Sequence, residues 1–140
     1  MRKIFFYGLF MDRSLLTDQG LHPTVVARAV LRDYRIHIGE RATLLQSASS
    51  RAFGVVMELS DDEADALYAE PSVSEYVRES VQVEVLDTGE TYEADCYNLP
   101  RDLGLAGTNP AYAAQLARLL ESLQFDAAYV REIEAFGEVS

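Results

Sequence analysis

The chain has 140 residues, 49% of them hydrophobic and 25% charged, and its formal net charge is −11 at pH 7. This size and composition predict a single domain over residues 1–140 that buries roughly two-thirds of its unfolded surface without a disulfide or metal staple. The acidic excess argues against a nucleic-acid partner, which would need a basic face, and no apolar run approaches the roughly 20 residues that span a bilayer.

The first predicted element is a short buried strand from Lys3 to Tyr7, apolar and aromatic, that ends at Gly8. Asp12 and Arg13 interrupt the apolar run before it reaches the length of a signal peptide, so we expect a cytoplasmic protein. Asp12 is also placed to cap a short helical turn that runs through Leu16.

The middle of the chain predicts further strands and one helix. Residues Thr24 to Ile38 are rich in Val, Ile and Tyr and indicate one or two strands, and Ala52 to Leu59 indicates another. Ser60 and Glu63 have the spacing of a capping box, which predicts a helix from Asp61 to about Ala69.

A hairpin follows, because residues 76–85 alternate cleanly between apolar and polar and the turn Asp87 to Glu90 contains glycine. Its return strand runs from Thr91 to Asn98. That strand contains Cys96, the single cysteine of the chain, on the same face as Tyr92 and Ala94. We therefore expect Cys96 to be a buried, inert thiol that forms no internal disulfide.

The last third predicts two helices, the first with Asn109 as its N-cap and Pro110 at its first position, and the second opened by Asp126 and ended by Gly137. Strands first and helices last predict an α+β domain. We expect its sheet to be antiparallel or mixed, curled or closed into a barrel, with a few helices.

The residues available for chemistry are limited by what the sequence lacks. His22 and His37 have no cysteine or carboxylate at the spacing of a metal site, and there is no phosphate-binding loop, dinucleotide fingerprint or serine nucleophile motif. We therefore expect no metal and no cofactor. Any chemistry is expected to use carboxylates, tyrosines and backbone amides.

The turn at Tyr7-Gly8 is a candidate anion site. A strand that ends in glycine and runs directly into a short helix leaves backbone N–H groups unpaired and pointing outward. Those of Gly8, Leu9, Phe10 and Met11 are suited to a carboxylate. The alternative is a tight turn that needs glycine for a positive φ.

Several segments, in order along nearly the whole chain, resemble the γ-glutamylcyclotransferase-like family. They are Phe6 to Leu16 with its Tyr-Gly loop, Ala42 to Ser47, Phe53 to Leu59, Tyr76 to Val85, Ala94 to Tyr97 and Asn109 to Tyr112 with the closing helices. Members of this family convert γ-glutamyl compounds to 5-oxoproline and a free amine.

The resemblance implies an enzyme whose loop holds the substrate's α-carboxylate and whose glutamate, just after the predicted helix, is the general base. It also implies that Tyr7, Tyr76, Tyr97 and Tyr112 lie in the pocket. The nearest candidate for the base is Glu70, with Glu75 a weaker substitute.

The sequence departs from the family pattern at the expected base. Glu70 comes one position early, Tyr68 stands where the family has aspartate, and Pro71 occupies the glutamate position. The alternative is therefore a catalytically silent domain of the same fold that binds a small anion. An interaction protein with a vestigial pocket is a third possibility. We expect a small γ-glutamyl substrate or other small carboxylate as the partner of a monomer or weak homodimer.

Overall fold

The protein is described here from a computed structural model, which covers residues 2–71, 73–100 and 107–137. The strands are β1 (Arg2–Phe6), β2 (Thr24–Ile38), β3 (Ala42–Leu59), β4 (Val77–Val85) and β5 (Thr91–Asn98). The α-helices are α1 (Arg13–Thr17), α2 (Asp61–Leu67), α3 (Pro110–Ser122) and α4 (Ala127–Ala135), and a 3-10 turn covers Leu9–Met11.

The five strands form a closed barrel in the order β1-β3-β2-β4-β5. Every pairing is antiparallel except that of β5 with β1, which is parallel and closes the sheet between Ile4 and Asp95. The predicted α+β class with a mixed sheet curled into a barrel is therefore confirmed. The contacts that close the barrel are short, with one residue pair between β1 and β5 and two between β2 and β4.

The long hairpin of β2 and β3 corrects the predicted strand bounds. β2 is one strand of 15 residues, and β3 begins at Ala42, ten residues before the predicted start. The first half of β3 does not show the alternation of apolar and polar residues that predicts a strand. The reason is that side chains on both faces of β3 are exposed or only partly buried between Gln46 and Arg51. Register shifts near Val25 and Asp33 bend β2, as expected of bulges.

The core fills the barrel and extends under α3 and α4. Inward side chains of the strands, such as Ile4, Val56 and Val83, are completely buried, and so are Leu116 of α3 and Ile133 of α4. Burying one such side chain contributes about 1.5–3 kcal/mol. Within the part of the chain that the structure covers, no helix has the length and apolar character to cross a membrane.

Helix α2 ends sooner than predicted, and this matters for the site. The capping box is present: the Ser60 side chain accepts from the Glu63 N–H at 3.1 Å, and the Glu63 carboxylate accepts from the Ser60 N–H at 3.2 Å. The last helical residue is nevertheless Leu67 rather than Ala69, and Tyr68 is the C-cap. Glu70 is therefore the third residue after the helix instead of the first.

Candidate functional site

A cavity of about 270 Å³ lies where β1 leaves the barrel. Its walls are mostly aromatic, with two charged residues. They comprise Phe5, Phe6, Tyr7, Gly8, Leu9, Phe10, Leu15, Glu40, Arg41, Ala42, Tyr68, Val73, Tyr76, Tyr97 and Tyr112. The structure thus gathers all but two of the sequence-predicted site residues; Met11 and Glu70 do not line this cavity.

The loop after β1 presents only part of the predicted set of amides. The Leu9 N–H donates to the Tyr112 hydroxyl at 3.3 Å, and the Met11 N–H donates to the Gly8 carbonyl at 3.0 Å. Met11 itself is buried. The amides of Gly8 and Phe10 make no hydrogen bond to any residue within 2–71, 73–100 or 107–137. These two N–H groups are the ones available to an anion, and their role in binding stays a prediction.

Glycine is required at position 8 because of close packing. Gly8 has φ −108° and ψ −154°, an extended conformation open to any residue, so the positive-φ explanation is wrong. A Cβ at Gly8 would instead overlap the hydroxyl of Tyr112. Tyr112 is placed by the first turn of α3, where its N–H donates to the Asn109 side chain at 3.0 Å. The N-cap of α3 therefore positions one wall of the loop.

Two tyrosines of the cavity are tied to the backbone of the barrel. The Tyr7 hydroxyl donates to the Tyr97 carbonyl at 2.7 Å, and the Tyr76 hydroxyl donates to the Ala42 carbonyl at 2.6 Å. Each hydroxyl proton is therefore already used in a hydrogen bond to the backbone. These rings act as fixed walls whose oxygens can still accept a hydrogen bond.

Tyr68 is a cavity residue that the sequence reasoning did not assign to the site. Its ring stacks on Tyr97 with centroids 3.6 Å apart and planes at 7°, and it meets the edge of Phe10 at 6.5 Å. Arg2 donates to the Tyr97 hydroxyl at 3.0 Å from outside the stack. The feature of the sequence that could have pointed to Tyr68 is its place as an aromatic residue near the predicted end of α2.

The carboxylates are arranged differently from the family pattern. Glu70 is exposed and lines a neighbouring depression of about 230 Å³, together with Phe10 and Val73. Glu75 is half exposed and pairs with Arg41 at 3.1 Å. Glu40, which was not among the sequence-predicted candidates, is also exposed and lines the aromatic cavity. The catalytic role predicted for Glu70 stays a prediction.

Burial keeps the cavity phenols neutral. Desolvation raises the pKa of Tyr7 and of Tyr68 well above the ordinary value, and it also raises the pKa of Tyr76. Burial raises the pKa of Tyr112 to about 12, although the hydrogen bond from the Leu9 N–H opposes that rise. At neutral pH these groups are therefore hydrogen-bonding partners and not phenolate bases.

Stability is expected to fall steeply in alkaline solution. Burial raises the pKa of Tyr112 to about 12 in the folded state, from an ordinary value near 10, and raises the pKa of Tyr129 as well. Between these pH values the unfolded chain has lost phenolic protons that the folded chain keeps, so unfolding releases protons and the free energy of unfolding falls as pH rises. Ultraviolet absorbance of phenolate, followed with circular dichroism, tests this. Phenolate appearing well before loss of structure would contradict it.

Solved structures share this fold. A γ-glutamyl cyclotransferase is 16% identical with a TM-score of 0.79, over 96% of this chain and 86% of that one. YkqA from Bacillus subtilis is 21% identical with a TM-score of 0.79, over 97% of this chain and 54% of that one. A yeast γ-glutamyl cyclotransferase specific to glutathione is 12% identical with a TM-score of 0.60, over 97% of this chain and 95% of that one.

Sequence comparison supplies the family. No curated protein matches the chain. The family model described as γ-glutamyl cyclotransferase, AIG2-like, matches residues 4–124, a span that includes strands β2 to β5, most of β1, the aromatic cavity and helix α3. The chain therefore belongs to the AIG2-like γ-glutamyl cyclotransferase family.

Proposed function

We propose that this protein cyclises a small γ-glutamyl compound to 5-oxoproline and releases an amine, with no metal or cofactor. Family membership supports the reaction class, and the observation that carries the proposal is the aromatic cavity directly against the Gly8 to Phe10 loop. Relatives of the same fold bear the name γ-glutamyl cyclotransferase. The proposed setting is a cytoplasmic monomer or weak homodimer.

The proposed binding mode places the substrate's α-carboxylate at the loop. The N–H groups of Gly8 and Phe10 would donate to the carboxylate, as backbone nests do for anions. Aromatic walls would hold the γ-glutamyl chain bent, so that its amine meets its own γ-carbonyl. Holding two reacting groups in contact removes much of the entropic barrier to ring closure.

A second candidate function is a silent domain that binds a small carboxylate. The exposed position of Glu70, outside the aromatic cavity, favours it if Glu70 is the only possible base. The same loop and tyrosines would then bind the ligand without turnover. The two functions share the cavity and differ only in the presence of a working base.

A product assay separates them. The purified chain is incubated with a panel of γ-glutamyl amino acids, γ-glutamylamines and glutathione, and 5-oxoproline is measured by mass spectrometry. We expect 5-oxoproline from at least one substrate class, at a rate proportional to protein concentration. Binding of a panel member without any 5-oxoproline would favour the silent domain, and neither binding nor product would contradict both functions.

A further inference from the structure

We infer that Glu40, rather than Glu70, is the general base that accepts a proton from the α-ammonium group of the substrate, an inference that rests on the proposed function. The sequence resemblance points to Glu70 because of its place after α2. Three features of the structure point to Glu40.

The first feature is position. Glu40 is one of the residues that line the aromatic cavity, and among the described residues no other acidic residue does so. Glu70 lines the neighbouring depression instead, on the other side of Phe10 and Val73, which contribute to both cavities. A base must come within hydrogen-bonding reach of the proton it takes, and Glu40, although exposed like Glu70, is the glutamate that lines the same cavity as the loop amides.

The second feature is restraint by the segment that leads into α3. The Glu40 carbonyl accepts from the Asn109 side chain at 3.1 Å, and the backbone at Gly107 packs so closely on Glu40 that a Cβ there would overlap its side chain. Asn109 also caps α3 and fixes Tyr112 against the Gly8 loop. One helix start therefore positions both the proposed anion site and the proposed base.

The third feature is that, among the described residues, no cation competes for Glu40. Arg41, the next residue, pairs with Glu75 at 3.1 Å and lies over the Tyr76 ring at 5.9 Å from its centroid. Over the described ranges Glu40 makes no ion pair. Its carboxylate is therefore available to an incoming ammonium group.

The reaction balances with one carboxylate. Glu40 takes one proton from the α-ammonium group, and the resulting amine attacks the γ-carbonyl carbon to form the ring C–N bond. As the bond from that carbon to the leaving nitrogen breaks, protonated Glu40 returns the proton to the leaving nitrogen. The ring nitrogen then loses one more proton to water, and the freed amine takes up a proton from water. The products are 5-oxoproline and an ammonium ion.

The test compares Glu40→Gln with its matched control Glu70→Gln on whichever panel substrate the wild-type chain converts. General bases typically contribute about 10²–10⁴-fold to rate, so we expect Glu40→Gln to lower kcat at least about 100-fold. We expect its KM to stay close to the wild-type value, because the loop and the tyrosines that would hold the substrate are unchanged. Glu70→Gln should keep wild-type kcat. Circular dichroism and 5-oxoproline binding confirm that both variants are folded with an intact cavity.

Each outcome has a distinct meaning. Wild-type kcat in Glu40→Gln, or a rise in KM alone, would overturn the assignment and leave the proposed function standing. Loss of kcat in Glu70→Gln with Glu40→Gln unaffected would restore Glu70 as the base. No 5-oxoproline from the wild-type chain with any substrate would remove the proposed function, and with it the role of Glu40.

Discussion

Replacing Gly54 with alanine is expected to destabilise the protein by about 3 kcal/mol, the upper end of the usual range for overpacking a core. Gly54 lies in β3, where a Cβ would overlap the Phe6 carbonyl of β1 and come within 2.8 Å of the Phe5 ring. The Phe6 carbonyl belongs to β1, which pairs with β3 on one side and β5 on the other. It therefore cannot move aside. Denaturant unfolding, with the midpoint shifted and the slope unchanged, measures the loss.

Two other glycines give the matched control. Gly20 and Gly89 have φ of 84° and 74°, and a Cβ at either would meet nothing within 4 Å. Alanine there adds backbone strain of about 1–2 kcal/mol without any clash. Gly54→Ala should therefore be the most destabilising of the three variants. A Gly54→Ala protein as stable as wild type would show that β1 and β3 can separate, contrary to the register described.

Replacing Gly8 with alanine is expected to weaken binding of 5-oxoproline or a γ-glutamyl substrate by at least about tenfold. The added methyl group would overlap the Tyr112 hydroxyl, so the loop must move. The N–H groups of Gly8 and Phe10 would then no longer point at the proposed position of the carboxylate. A hydrogen bond to a charged group contributes about 1.5–3 kcal/mol, and about 1.4 kcal/mol corresponds to a tenfold change in affinity. Isothermal titration calorimetry measures the effect.

The double variant Gly8→Ala/Tyr112→Phe separates the clash from other causes. Tyr112→Phe removes the hydroxyl that the methyl group would meet, while it keeps the ring. It also removes the acceptor of the Leu9 N–H, so the single variant should lose some affinity by itself. We expect the double variant to bind more tightly than Gly8→Ala. Equally weak binding by Gly8→Ala and by the double variant would mean that the overlap with the Tyr112 hydroxyl is not the cause of the lost affinity.

Much of the fold was predictable because its signals are local. The capping box of Ser60 and Glu63, the Asn109-Pro110 helix start and the hairpin turn after Val85 all depend on residues within four positions of one another, and the structure contains each of them. Alternation in β4 likewise predicted that Val81, Val83 and Val85 are buried, whereas in β5 both Cys96 and Tyr97, on opposite faces, are buried. Such signals need no knowledge of the distant chain.

The site was predictable only in part. The Tyr-Gly loop and four tyrosines were expected to share a pocket, and Tyr7, Tyr76, Tyr97 and Tyr112 do line one cavity with Gly8. Tyr68 and Glu40 were not assigned to it. Their places follow from contacts across the fold, such as the Tyr68 ring on Tyr97 and the Asn109 side chain on the Glu40 carbonyl.

The sequence by itself determined the order of the elements, their caps, the buried face of β4 and the resemblance to the family. Tertiary structure decided that the sheet closes, that β3 starts at Ala42, that α2 ends at Leu67 and that Glu40 lines the cavity. The physical reason is the separation along the chain between the residues that interact. Caps and turns are formed by neighbouring residues, whereas closure of the barrel and the cavity depend on residues that meet only after the whole chain has folded.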